Sequence, residues 1–130
     1  MSSYRGASRT NYFQVKDEAA FRAWAAKWKL KVIENDGLVG LLPSEASDEG
    51  VFFLFDEKLD DSRDICDEIA GHLADGSVAI VVEAGAQKLC YIGGWAVAIN
   101  SQGERAQVSL DDIYALAAAK FGVTPTFARS

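Results

Sequence analysis

Carboxylates are the chemically active groups that this sequence concentrates most strongly. Eleven of its nineteen Asp and Glu residues lie between Glu45 and Asp75, where only Lys58 and Arg63 oppose them. Carboxylate oxygens can bind Mg²⁺ or Ca²⁺ when they converge in a cleft. A rigid row of them can instead imitate the charge of a phosphate backbone. The block therefore indicates either a metal site or an acidic binding surface.

The elements predicted inside this block favour the surface. The all-apolar run 51–55 is typical of a strand covered on both faces, and 60–62 is a typical helix start. From there to about Ala74 we predict a helix with Ile65, Ile69 and Leu73 turned inward. Its acids would then diverge into solvent, so we expect no metal and no other cofactor. The predicted partner-binding residues are Asp56, Glu57, Asp60, Asp61, Asp64, Asp67 and Glu68.

Catalytic groups are sparse elsewhere. His72 is the one histidine of the chain, and its place beside Leu73 indicates a structural residue at the edge of the apolar stripe. Cys66 and Cys90 have no metal-ligand spacing and are expected to be thiols. No glycine-rich phosphate-binding motif is present. We therefore predict that the protein is not an enzyme, with a small metal-dependent hydrolase or ligand-binding enzyme using the same carboxylates as the alternative.

Length and charge narrow the class of protein further. A chain of 130 residues fits one domain, with a loose segment over 1–8 and a tail over 124–130. It contains no apolar run long enough to cross a membrane and no signal-peptide core, so we expect a cytoplasmic protein. The net charge of −6 disfavours direct binding to nucleic acid. Residues 1–31 are by contrast basic, and the role of this segment stays open.

The amino-terminal half predicts a strand, a helix and a hairpin. The β-forming residues of 10–15 indicate the strand, and Asp17 is a suitable N-cap for a helix over 18–29. Its apolar residues recur at helical spacing and are expected in the core, although Trp24, Trp28 and the later Trp95 could also contact a partner. The turn 35–37 between 31–34 and 38–42 is a strong hairpin signal.

The carboxyl-terminal half predicts a meander and a helix. Strands are expected at 77–83, 88–92, 95–100 and 105–108, separated by small residues and turns. Ser109 is the expected N-cap of a helix that runs to Lys120 and stops at Gly122. The predicted fold is α+β, with a mostly antiparallel sheet of six to seven short strands and three helices packed on one face. The element order is β-α-ββ-β-α-βββ(β)-α.

Three stretches of the sequence carry a resemblance. The opening Ser8-Arg9-Thr10-Asn11-Tyr12-Phe13-Gln14-Val15-Lys16-Asp17 and the residues that follow to Trp24, together with 72–79 and 108–114, resemble small acidic bacterial proteins encoded by phages, plasmids and integrative elements. The resemblance implies an origin in a mobile element. It also implies an anti-defence role, as for anti-CRISPR and anti-restriction proteins. It assigns no role to any individual residue.

The acidic block and the resemblance together predict a DNA-mimicking inhibitor in the bacterial host cell. Its partner would be a protein with a basic surface in a nucleic-acid-handling defence complex such as CRISPR–Cas. We expect no contact with membrane, and a monomer or a homodimer. A housekeeping accessory domain, or a homodimer joined through sheet edges, is the remaining alternative.

Overall fold

The computed structural model describes residues 4–43, 65–87, 91–126 and 128. Within these ranges the chain forms six strands and three helices, which confirms the predicted α+β class and element order. The predicted strand at 51–55 lies outside the described residues. In chain order the elements are β1 Tyr4–Thr10, α1 Glu18–Lys27, β2 Lys31–Asn35, β3 Leu38–Leu42, α2 Ile65–His72, β4 Val78–Gln87, β5 Tyr91–Asn100, β6 Arg105–Ser109 and α3 Asp112–Phe121.

The described strands form two antiparallel sheets. Four strands pair in the order β1-β4-β5-β6, so that β1 returns to lie beside β4. Strands β2 and β3 form a separate hairpin. Its turn at Asp36 and Gly37 has φ values of 53° and 81°. These are the positive values that the predicted Asn-Asp-Gly turn requires, so the hairpin prediction is confirmed.

The first strand lies earlier than predicted. Tyr4–Thr10 pairs along its whole length with β4, so the prediction of a loose segment over 1–8 is wrong for residues 4–8. The rest of the predicted strand, 11–15, makes only isolated bridges, from Phe13 to Val39 and from Val15 to Leu73. Its β-forming side chains pack against the hairpin and the end of α2, but its backbone does not pair along its length with another strand. Because β propensity reflects side-chain burial as much as strand pairing, it misplaced the strand.

The glycine-rich breaks expected in the meander do not occur at 84–86 and 93–94. These residues lie inside β4 and β5, where Gly85 pairs with Gly93 and Ala84 with Gly94. A Cβ on Gly94 would lie 3.2 Å from the carbonyl oxygen of Glu83 and 3.4 Å from a Leu110 carbon. The small residue therefore marks a close approach of Leu110 and not a strand end. Three predicted short strands are thus two strands of ten residues each.

The core lies on one face of the four-stranded sheet, which we call the inner face. Alternate strand residues such as Val81, Val97 and Ile99 point into it and are buried. Helix α1 contributes Phe21 and Ala25, and α2 contributes four residues, to the same cluster. The core side chains from outside the sheet are Phe13, Phe21, Ala25, Val39, Leu41, Ile65, Cys66, Ile69, Ala70 and Leu73.

A buried hydroxyl ties the sheet to the hairpin. Thr10 Oγ1 accepts a hydrogen bond from the Leu41 backbone N–H at 2.8 Å and donates to the Asn11 carbonyl oxygen at 2.8 Å. A Cβ on Gly40 would lie 2.7 Å from that same oxygen, so the two segments are in close contact. Because Thr10 and Leu41 are both buried, the hydroxyl satisfies a polar group that water cannot reach.

Helix α1 begins as predicted and ends earlier. The Asp17 side chain accepts from the Ala20 backbone N–H at 3.1 Å, which confirms the N-cap. The helix ends at Lys27 and not at Lys29, which has a φ of 59°. The positive φ at Lys29 turns the chain directly into β2.

Helix α3 differs from the prediction in two ways. Asp111 holds the N-cap position and Ser109 ends β6, so the prediction of Ser109 as the N-cap is wrong. The Ser109 backbone N–H donates to the Asp112 carboxylate at 2.7 Å. The helix stops at Gly122, whose φ of 72° confirms the predicted end. No residue of α3 is buried, so the expectation that all three helices pack on the sheet is wrong for this one.

Candidate functional site

Two of the seven predicted partner-binding residues, Asp67 and Glu68, are described, and both lie on helix α2. Asp67 is exposed, as predicted, but its Oδ1 lies 2.7 Å from Nη2 of Arg105 on β6. Glu68 is half-buried and its Oε2 is covered by protein, so it is less outward than predicted. The other predicted partner-binding residues lie outside the described residues; they are Asp56, Glu57, Asp60, Asp61 and Asp64.

The orientation of α2 explains why Asp67 reaches the surface. Ile65, Cys66, Ile69 and Ala70 are buried, which leaves one side of the helix to polar residues. The buried positions recur at steps of three and four, the spacing of an amphipathic helix. The prediction that the apolar residues of this helix face inward is therefore confirmed.

Metal binding finds no support in the part of the chain that is described. There, no group of three or more His, Cys, Asp or Glu side chains could hold a metal ion. A hard cation needs several converging oxygen ligands. In this part of the chain the hydrolase alternative therefore has no metal site, and the expected absence of a cofactor stays a prediction.

His72 packs against two aromatic rings. Its ring centroid lies 5.7 Å from that of Phe21 and 5.2 Å from that of Trp24. Burial is the largest influence on its pKa and lowers it from the ordinary value of 6.5, with Lys16 acting in the same direction against Glu68 and Asp17. These contacts hold the ring at the edge of the core. They agree with the structural role predicted for it.

The tryptophans belong largely to the core side of the molecule. The Trp24 ring lies 5.7 Å from that of Phe21, and its Nε1 is buried without an acceptor among the described residues. Trp95 packs against the same core cluster. Trp28 is half-buried. Core packing, the predicted role of the α1 aromatics, accounts for Trp24.

A cleft of about 260 Å³ opens on the inner face beside β6. Its lining includes Trp95 and Val97 from β5, and Cys66 of α2 forms one side. The polar groups that line it include Arg105, which Asp67 already engages, and a single carboxylate from Asp111. One acid, one paired cation and the neutral Gln107 and Ser109 select no particular ligand chemistry.

The opposite face of the four-stranded sheet is apolar and uncovered across β4, β5 and β6; we call this part the outer face. Its exposed side chains include Val78, Ile80 and Val82 of β4, Ile92 of β5 and Val108 of β6. The remaining outer positions of these strands carry small residues and Asn100, and none carries a charge. An apolar sheet face ordinarily packs against another layer. No described element supplies that layer.

Helix α3 is the second uncovered apolar element. Its sequence has only Asp112 and Lys120 as charged residues, yet Ile113, Leu116 and Phe121 are 59%, 62% and 70% exposed. The hydroxyl of Tyr114 accepts from the Ala128 backbone N–H at 2.7 Å, so the end of the described chain returns to this helix. A helix that is apolar on most of its circumference is normally buried.

Sequence reasoning missed this outer surface although its signal is present. The residues of 78–82 are apolar at every position, the pattern of a strand covered on both faces. The same pattern also fits a strand whose second face is covered by another layer of the same chain. The sequence therefore indicates that both faces are apolar, but it does not show that one of them is uncovered. The described residues cover one face of the sheet only.

The helices and strands of the described residues form an α+β domain. Comparison of the chain with protein-family models, with curated proteins and with solved structures finds no match. Within the described residues, no helix is both long enough and apolar enough to cross a membrane.

Proposed function

We propose that this protein is a non-enzymatic inhibitor, of the anti-CRISPR kind, whose acidic surface occupies a basic surface of a nucleic-acid-handling defence complex. The observation that carries the proposal is the concentration of eleven of nineteen carboxylates in 45–75. Helix α2, at the end of that block, turns its apolar side to the core and keeps Asp67 on the surface.

Two further observations support a binding role. The single histidine packs against two aromatic rings and Cys66 belongs to the core cluster, so packing accounts for both groups. The resemblance of 8–24, 72–79 and 108–114 to mobile-element proteins supports an anti-defence role and a site of action in the bacterial cytoplasm. A binding protein of this kind needs no catalytic residues.

The contacts of α2 sharpen the choice of residues. Asp67 is paired with Arg105, and Glu68 is half-buried, so both also serve the fold. Changing them would alter contacts within the chain as well as contacts with a partner. The first residues to reverse are therefore Asp60, Asp61 and Asp64.

The experiment is capture of defence complexes by the tagged protein. We expect CRISPR–Cas or restriction components to elute from it as salt is raised, because exposed charges are screened at high ionic strength. A variant with Asp60→Lys, Asp61→Lys and Asp64→Lys should lose at least roughly tenfold in capture, since charge complementarity governs such encounters.

A matched control separates a specific surface from bulk charge. The variant Glu18→Lys, Glu34→Lys and Glu104→Lys reverses three exposed acids elsewhere. Glu18 and Glu34 pair with Arg22 at the surface, where solvent screens the attraction, so the loss of these pairs should cost little stability. Since each reversal adds two charges, both variants change the formal net charge from −6 to 0. The control should still capture its partner. Unchanged capture by the first variant, or equal loss by both, would overturn the proposed surface.

A further inference from the structure

We propose that the outer face of the four-stranded sheet and helix α3 form a homodimer interface, with a second copy of this chain as the occupant. The inference is independent of the proposed function, because it concerns the apolar side of the molecule and not the acidic block. It starts from two apolar surfaces that the described chain leaves uncovered.

The first step is the composition of the outer face. Strands β4, β5 and β6 carry no charged residue at their outer positions, although the chain has nineteen acidic and thirteen basic residues. Apolar exposure continues across the strands through Ile80, Val82 and Val108. Contiguous apolar surface of this kind marks an interaction site more often than a solvated face.

The second step is the exposure of the apolar side chains of α3. Leu110, which leads into this helix, covers Gly94 on the outer face, and its backbone N–H donates to the Gly94 carbonyl oxygen at 2.9 Å. Beyond it, Ile113 and Leu116 remain mostly exposed. The same chain thus has a sheet face without a covering layer and an apolar helix without a surface to cover, both within the described residues.

The third step is the size of the combined surface. At about 3.3 Å per residue and about 4.8 Å between strands, the ten, ten and five residues of β4, β5 and β6 span roughly 400 Å². A ten-residue helix adds roughly 150 Å² of projected area, from a length of about 15 Å and a width of about 10 Å. Two chains would together bring about 1,100 Å² of such surface, which is above the roughly 1,000 Å² in total that a biological interface needs.

The choice of a second copy follows from charge and symmetry. A chain of net charge −6 can meet its own copy on this face without bringing carboxylates together there. A two-fold arrangement uses the same patch on both chains, and it is the commonest oligomer symmetry. In it, each α3 can cover the outer face of the other copy, so both uncovered surfaces are buried at once.

The test is the solution mass of the full chain by light scattering, in reducing buffer and over a range of concentrations. We expect about 28 kDa, twice the 14.1 kDa of one chain. A glutamate placed in an apolar interface is strongly desolvated, so Ile80→Glu and Leu116→Glu should each raise the dimer dissociation constant by roughly 100-fold or more. Both variants should keep the far-ultraviolet circular dichroism of the parent.

The control is Leu38→Glu on the hairpin, because Leu38 is as exposed as Ile80, at 38% against 39%, but belongs to the other sheet. It should leave the dimer mass unchanged. A single-chain mass for the parent at every concentration would overturn the proposal and leave the face to another occupant. A dimer that survives either the Ile80 or the Leu116 change would overturn it as well.

Discussion

Helices α1 and α3 have the same length and opposite surroundings. Helix α1 carries three charged residues in ten and buries Phe21 and Ala25 completely. Helix α3 carries two, is richer in apolar side chains and buries none. Burial in this chain therefore does not follow apolar content. The apolar surface of α3 lies outside the core that α1 helps to build.

The largest effect expected from this comparison is at Phe21. Its ring is fully buried and lies 5.7 Å from that of Phe13. Phe21→Ala should therefore cost about 3–5 kcal/mol of unfolding free energy. Leu116→Ala on α3 should cost less than about 0.5 kcal/mol, because substitutions at mostly exposed positions have small effects. Urea denaturation in the monomeric Ile80→Glu background measures both without a contribution from association.

Equal losses at the two positions would break the contrast between the helices. They would mean that α3 contributes to the stability of the single chain as much as α1 does. A loss at Phe21 below about 1 kcal/mol would instead be inconsistent with its place in the core.

A smaller loss is expected at Thr10, the link between sheet and hairpin. Thr10→Val removes the oxygen that accepts from the Leu41 N–H and leaves that buried group unsatisfied. The change should cost about 1–3 kcal/mol. Thr10→Ser keeps the hydroxyl and is the matched control. Thermal denaturation measures the stability of both variants. A valine variant as stable as the serine variant would show that the hydrogen bond contributes nothing to stability.

The titration of His72 reports on the edge of the core beside α1. Burial lowers its pKa below 6.5, so the folded chain binds this proton less readily than the unfolded chain does. The unfolding free energy should therefore fall as pH drops through 6.5 toward the lowered pKa, and this contribution should be level above 6.5. Because the chain has one histidine, its Hε1 resonance gives the pKa directly.

The variant His72→Gln should remove that part of the pH dependence while other titrations remain. A measured pKa at or above 6.5 would show that Glu68 and Asp17 outweigh the effect of burial at His72.

The exposed ion pair between α2 and β6 should matter least. The Asp67 side chain is mostly exposed and that of Arg105 partly so, and solvent therefore screens their attraction. A double-mutant cycle with Asp67→Ala and Arg105→Ala should give a coupling of about 0–1 kcal/mol. A coupling above about 2 kcal/mol would show that this contact is a principal attachment of α2 to the sheet.

Elements with strong local signals are predictable from the sequence. The Asp17 cap, the turn at Asp36 and Gly37 and the stop at Gly122 depend on the chemistry of one or two residues, and the structure confirms all three. The inward positions of α2 follow from helical periodicity in the same way.

The misplaced elements depend on distant contacts. The strand at 4–10 forms because β4 offers a partner, and the ladder continues through Gly85 and Gly93 because those residues face each other. Nothing local in either stretch specifies its pairing. The contact of Asp67 with Arg105, which is 38 residues away, is unpredictable for the same reason.

Amide hydrogen exchange at several protein concentrations tests the contrast between α1 and α3 without any substitution. If a second copy covers α3, protection over 113–121 should rise with concentration from a low value, whereas 18–27 should be strongly protected by the core at every concentration. Protection of α3 that is low and independent of concentration would refute the dimer, because it would leave the helix and the outer face of the sheet uncovered in solution.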